Sequence, residues 1–239
     1  MDLGLKDKKV LITGGSKGIG LACARAFVAE GARVALVSRS QENLNKAKDN
    51  LKSAYTIAAD LTDAEAAAAM VERVEKEFGP IDVLVNSAGA AKRTDADDLS
   101  PAAWRAGMDA KYFSYINVIG SGGKVASPTH LAGGAANAAL LLATAGLAYA
   151  YASKGVRVVG VSPGVTKTER VAEGLKAEAK RANVSVEQAE KQMVARLPMG
   201  RPAEPEEIAD IVVFAASERG RYLTGANIST DGAASHVVV

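Results

Sequence analysis

The stretch KVLITGGSKGIG at residues 9–20 constrains the fold more than any other part of this chain. Val10, Leu11 and Ile12 form the short continuous apolar run that a strand buried on both faces requires, and glycines follow at once. Gly14, Gly18 and Gly20 carry no side chain where the backbone must turn sharply, admit a phosphate, and pack the next helix on the strand. That helix, expected over 19–30, aims its free N–H groups and positive dipole end into the turn, so an anion belongs there. Gly31 sits at the expected C-cap, and RVALVS at 33–38 reads as a second buried strand, completing a strand-turn-helix-strand unit.

Strand and helix patterns alternate along the rest of the chain, which argues for one parallel sheet covered by helices on both faces. A polar helix is expected over 41–51, a strand over 55–59 ending at Asp60, and an alanine-rich helix from Asp63 to Phe78, stopped by Gly79 and Pro80. A fourth strand over 81–85 ends in Asn86-Ser87-Ala88-Gly89. Another over 156–161 runs into Pro163-Gly164, and a helix opened by proline and acids covers 205–217. In such a sheet ligands bind at the carboxyl ends of the strands, and Asp60, the NSAG turn and the SPG turn stand there.

With 239 residues and 48% hydrophobic content the chain can bury one large core, so a single domain is expected. A net charge of +2 from 29 interspersed basic and 27 acidic residues offers no face for nucleic acid or anionic lipid. Cys23 has no partner for an internal disulfide and reads as a small buried apolar residue. No signal peptide is evident, and no apolar run is expected to reach the roughly 18 residues needed to span a membrane. These features lead us to expect a reducing, cytoplasmic setting and neither nucleic acid nor membrane as partner.

Over nearly its full length the chain resembles the short-chain dehydrogenase/reductase family. The resemblance rests on TGGSKGIG at 13–20, ADL at 59–61, NSAG at 86–89, SPG at 162–164, PMGRPAEPEEIA at 198–209 and LTGANISTDGA at 223–233, in that order. It implies a Rossmann-type doubly wound α/β fold and hydride transfer between a nicotinamide and the carbonyl or alcohol of a small-molecule substrate, with no metal. It assigns the cofactor to Gly14, Ser16, Lys17, Gly18, Ile19 and Gly20 in the first turn. Asp60 and Leu61 would lie by the adenine, Asn86, Ala88 and Gly89 would support the ribose, and Pro163, Gly164, Val165 and Thr168 would hold the nicotinamide end. The choice of dinucleotide follows from chemistry. A preference for NAD calls for a carboxylate at the end of the second strand, but Ser38 and Arg39 stand there, and with Lys17 they suit the 2′-phosphate of NADP.

The family's chemistry uses an Asn, a Ser, and a Tyr four residues before a Lys. Counting back from Pro163 by the family's intervals puts Gly133 at the Tyr position, Asn137 at the Lys position and Gly120 at the Ser position. Counting from Trp104 puts Lys111 at the Asn position. Tyr151-Ala152-Ser153-Lys154 imitates the active-site run, but its Tyr-to-Lys spacing is three, so the pair faces differently, and it lies too near the Pro-Gly turn. Lys111, Ser121 and His130 are the groups left to act near the site: an ammonium for an oxyanion, a hydroxyl in a flexible glycine run, and an imidazole for proton transfer. The interval from Lys111 to Gly120 is too short for a helix and a strand, since a parallel crossover needs a dozen or more residues, and about twenty residues of the family pattern have no counterpart. The changed positions leave an alternative open, a weak or silent NADP(H)-binding protein acting as sensor or assembly partner.

Two further segments carry expectations. The helix 131–151 is almost all Ala, Gly and Leu, which suits close approach of a cofactor or a partner helix. By resemblance it and the strand 227–230 lie in interfaces of a homodimer or homotetramer. The charged segment 169–196 is helical and stands where the family keeps a mobile substrate cover, with Val171, Leu175, Met193 and Leu197 as its apolar members.

Overall fold

A computed structural model describes residues 1–51, 53–89, 96–109 and 131–235. Strands β1 (Lys9–Thr13), β2 (Arg33–Ser38), β3 (Tyr55–Ala58) and β4 (Val83–Asn86) form a four-stranded sheet in the order β3-β2-β1-β4. Every pairing is parallel, with Ile12 opposite Leu36 on one side and Val85 on the other. Helices α1 (Gly18–Ala29), α2 (Gln41–Leu51) and α3 (Ala64–Glu77) supply the crossovers.

Because successive side chains on a strand point to opposite faces, the apolar runs feed two cores. Val10, Ile12, Val34 and Leu36 pack with Cys23 and Phe27 of α1, Leu44 of α2, and Val213 of α8 (Pro205–Ala216). Leu11, Ala35, Val37 and Ile57 face the other way, onto Met70, Val74 and Phe78 at α3. Both faces are covered, and one domain results. Asp63 caps α3 by accepting from the N–H groups of Glu65 and Ala66. Cys23 is fully buried, and burial pushes its thiol up to about 12, so it serves as packing.

The second half of the chain adds α4 (Pro101–Met108), α5 (Leu131–Tyr151), a parallel pair β5 (Gly160–Pro163) and β6 (Asn227–Thr230), α6 (Glu169–Ala182) and α7 (Val186–Val194). Among the described residues β5 and β6 form their own two-stranded sheet. Between β4 and the approach to β5 lies a cavity of about 410 Å³ lined by Val83, Leu84, Val85, Val159 and Val161.

Two expectations are corrected and a third is made finer. The strand foreseen over 156–161 starts its ladder only at Gly160, because Arg157 is committed to the end of α8 and Val158 bonds to Thr224 and Gly225. The segment 169–196 is helical as expected and divides into two helices, broken where Asn183 takes a left-handed conformation (φ 53°) and Ser185 caps the second. The apolar run thought absent is present: α5 with the turn after it, Leu131–Lys154, is long and apolar enough to cross a membrane, with mean hydropathy 1.6. Its Ala132, Asn137 and Thr144 are buried within the protein, while 39% of its most apolar window is buried in all.

Candidate functional site

The site is built where β1, β4 and β5 end. At the end of β1, Thr13 is buried and ties two turns together. Its hydroxyl donates to the Asn86 carboxamide oxygen at 3.3 Å and accepts from the Ala88 N–H at 3.3 Å, while its carbonyl accepts from the Ser87 N–H at 3.1 Å. The glycine turn and the NSAG turn therefore meet. A Cβ on Gly14, which has φ 65°, would stand 2.7 Å from the Ala88 nitrogen, and one on Gly20 would overlap the Gly14 carbonyl. Only glycine permits either approach.

Helix α1 starts at Gly18 behind Lys17, whose side chain makes no cap, and its first turn contains no acid. By contrast α3, α4 and α7 are capped by Asp63, Ser100 and Ser185. The leading N–H groups of α1, with Ile19 and Gly20 among them, keep their donor capacity and positive partial charge for an anion in the turn. Beside it the buried Ser16 hydroxyl donates to the Ser38 hydroxyl at 3.0 Å, bringing the end of β2 against the same turn. Arg39 follows, exposed, and Asp60 stands nearby at the end of β3. Hydrogen bonds from the Thr62 N–H and hydroxyl, helped by the charge of Arg39, hold the Asp60 carboxyl below its ordinary range. Leu61, half-buried, packs on the core at α3.

The loop after β5 closes the third side. Gly164 is pressed on Asp231, where a Cβ would lie 2.9 Å from the Asp231 Cα. Val165 accepts from the Ala203 N–H and Lys167 donates to the Ala203 carbonyl, so the loop runs along the approach to α8 and delivers Thr168 as the first cap residue of α6. The Thr168 methyl would lie 3.6 Å from a Cβ on Gly18. Next to it the Lys17 ammonium is paired with the Glu169 carboxylate at 3.2 Å, and the Arg170 guanidinium donates to the Gly89 carbonyl at 3.3 Å. The start of α6 thus touches both other turns.

The structure gathers Gly14 to Gly20, Ser38, Asn86 to Gly89 and Pro163 to Thr168 at the carboxyl ends of β1, β2, β4 and β5, with Arg39, Asp60 and Leu61 following β2 and β3. Sequence reasoning passed over Thr13, Glu169 and Arg170. Thr13 was visible as the last strand residue before the glycines, whereas the contacts of Glu169 and Arg170 join residues 152 and 81 positions apart, which no local pattern reveals.

Lys111, Gly120, Ser121 and His130 lie outside the described residues. Gly133 and Asn137 are both buried, one turn apart in α5, and Asn137 is 1% exposed. The imitation pair lies elsewhere. The Lys154 ammonium stacks on the Tyr151 ring at 5.0 Å, and the next residues, Gly155 and Val156, share the cavity with Gly4, Lys8 and Asp82, which lead into β1 and β4. Tyr151 therefore stands at the amino ends of the strands, away from the glycine turn.

Comparison with known proteins gives the same architecture. Residues 8–121 match the family model described as short chain dehydrogenase, and residues 114–234 match the one described as Enoyl-(Acyl carrier protein) reductase. A 3alpha-hydroxysteroid dehydrogenase of Mediterraneibacter gnavus is 31% identical, the alignment covering 96% of this chain and 98% of that protein. That alignment runs over 255 positions, more than the 239 residues here, so the relative carries residues with no counterpart in this chain. The crystal structure of L-sorbose reductase from Gluconobacter frateurii, complexed with NADPH and L-sorbose, superposes with a TM-score of 0.93 at 26% identity over the whole of both chains. The NADPH-bound structure of a short chain oxidoreductase from Pseudomonas aeruginosa PAO1, described as containing an atypical catalytic center, gives 0.87 at 27% identity and covers 97% of this chain and 98% of its own. With relatives matched over nearly the full length and the glycine turn at the head of a parallel sheet, the chain belongs to the short-chain dehydrogenase/reductase family of oxidoreductases.

Proposed function

We propose that this chain is an NADP(H)-dependent oxidoreductase that interconverts a carbonyl and an alcohol through an atypical active site. The observation that carries this reading is the meeting of three strand-end loops around the uncapped start of α1, with Ser38 and Arg39 at its edge. The glycine turn fits the cofactor, since the missing side chains of Gly14 and Gly20 let the turn close on Ala88 and on itself with the leading N–H groups of α1 facing it. Gly14, Ser16, Gly18, Ile19 and Gly20 receive the pyrophosphate side, Ser38 and Arg39 with Lys17 the 2′-phosphate, Asp60 and Leu61 the adenine, Asn86, Ala88 and Gly89 the ribose, and Pro163, Gly164, Val165 and Thr168 the nicotinamide end. Bound NADPH supplies the hydride. The chain contributes orientation, and placing two reactants side by side supplies a large share of a rate by itself. Lys111 stabilises the developing oxyanion, Ser121 polarises the carbonyl, and His130 moves the proton. The NADPH complexes among the structural relatives support the cofactor, and the relative described as containing an atypical catalytic center supports a departure from the family's usual one.

Helices α6 and α7, residues 169–196, act as the substrate cover of this single domain. A homodimer or homotetramer is the assembly, supported by the apolar residues that α5 leaves exposed, Leu142 at 77% and Tyr149 at 92%. The single buried thiol accords with a reducing, cytoplasmic setting.

A second reading rests on Gly133 and Asn137, which carry neither a phenol nor an ammonium: a catalytically silent NADP(H)-binding sensor or assembly partner. Fluorescence titration with NADPH and NADH, followed by a panel of ketones and aldehydes, separates the two. Binding with oxidation of NADPH supports the enzyme; binding with no turnover on any substrate supports the sensor; binding of neither nucleotide overturns both.

A further inference from the structure

The cation of the glycine turn is already paired with an anion of the protein's own. Glu169, the first residue of α6, reaches across to Lys17 in the glycine turn at 3.2 Å, although 152 residues separate them. Its carboxylate also acts on a second cation. Lys46 of α2 is raised above its ordinary range first by the hydrogen bond and charge of Glu42, and further by the charge of Glu169. The neighbouring residues fix this position. Thr168 abuts Gly18, and Arg170 holds the Gly89 carbonyl, so Glu169 is carried over the turn by contacts on both sides. Both partners are more than half exposed, at 57% and 74% of their side chains, so the pair is open to exchange with a dissolved anion.

We propose that Glu169 is a specificity-determining residue: its carboxylate occupies Lys17 in place of the 2′-phosphate of NADP and yields it when that phosphate binds. The inference rests on the NADP reading above and deepens it. A phosphate carrying nearly two negative charges displaces a single carboxylate from Lys17, whereas NADH brings no group to that position and leaves the pair intact. Glu169 therefore lowers the affinity for NADPH without acting on NADH. Since Glu169 opens α6, the exchange frees the start of the proposed cover from the glycine turn as the phosphorylated cofactor arrives.

The test is a fluorescence titration of NADPH and NADH into the full-length wild type, Glu169→Gln, Lys17→Met and the double variant. Glu169→Gln is expected to tighten NADPH about fivefold and leave NADH unchanged, the range in which exposed ion pairs act. In the Lys17→Met background the same substitution is expected to change neither affinity, because the effect runs through Lys17. An NADPH affinity unmoved by Glu169→Gln, an equal gain for both nucleotides, or a gain that persists without Lys17 would each overturn the proposal. If the wild type binds the two nucleotides equally, the NADP reading fails first and the role of Glu169 falls with it; if the wild type prefers NADPH and Glu169→Gln is silent, only the role of Glu169 fails.

Discussion

The guanidinium of Arg157 donates to the carbonyl of Ala215 at 2.6 Å, joining the approach to β5 to the last turn of α8. The same group reaches the carbonyls of Gly220 and Leu223 through one nitrogen and those of Ala216 and Ser217 through the other. A helix end leaves its last carbonyls without partners, and a planar fork of donors satisfies several at once. Arg157→Met is expected to cost about 2 kcal/mol and lower Tm by about 6 °C. Arg157→Lys, with a point charge in place of the fork, should recover less than half of that loss. Thermal unfolding of the three proteins checks the order, and an unchanged Tm in Arg157→Met would show that water replaces the fork without penalty.

Glycines here divide by what surrounds them. Gly20→Ala drives a methyl group into the Gly14 carbonyl and is expected to destabilise the fold by about 2 kcal/mol and abolish nucleotide binding, since the turn itself must shift. Gly174 lies inside α6 with open space around it. Gly174→Ala should therefore stabilise the protein by about 0.5–1 kcal/mol through helix propensity alone. Chemical denaturation of both variants tests the contrast; two changes of the same sign would contradict it.

At the end of β2, Arg39 provides a positive charge where a carboxylate would select NAD. Arg39→Asp is expected to weaken NADPH at least about tenfold through lost attraction and added repulsion, while NADH weakens less or gains. Parallel titrations decide. Equal losses for the two nucleotides would remove Arg39 from the 2′-phosphate site.

The alternation of strands and helices was legible because each apolar run is bounded by its own punctuation, such as Gly31 after α1 and Asp63 before α3. The meeting of the strand-end turns was legible for a related reason: glycines and small polar residues stand at strand ends, where topology brings them together. The division of 169–196 was not, because a left-handed asparagine at Asn183 looks like any polar residue in a charged helix. The late start of β5 was hidden for another reason. VRVVGV at 156–161 has full strand character, and only the distant carbonyls at the end of α8 draw Arg157 out of it. The Lys17–Glu169 pair likewise depends on how the loop after β5 folds back over β1, a tertiary fact with no local signal.

Replacement of the three groups proposed for chemistry has a distinctive signature. Lys111→Ala, Ser121→Ala and His130→Ala should each leave NADPH affinity in place, and a group acting in the transition state should lower kcat by about a hundredfold. For His130 the loss should also remove the near-neutral limb of the pH–rate profile. An unaltered rate excludes the residue concerned.

The acid limb of stability should reflect Glu207. A fork from Arg201 to both carboxylate oxygens, each at 2.7 Å, and the Glu204 N–H at 2.8 Å hold its carboxyl down from 4.5 to about 2. A folded-state value below the unfolded one means that the contribution is fully present above the unfolded value and is lost as pH falls through the folded one. The window is therefore between 4.5 and about 2. Urea midpoints of the wild type and Glu207→Gln should differ by a constant amount above about pH 5 and converge as the pH approaches about 2. The physical reason for convergence is that a protonated Glu207, like glutamine, is a neutral partner for Arg201. A gap as wide at low pH as at neutrality would mean that the side chain holds the start of α8 by packing and not through its charge.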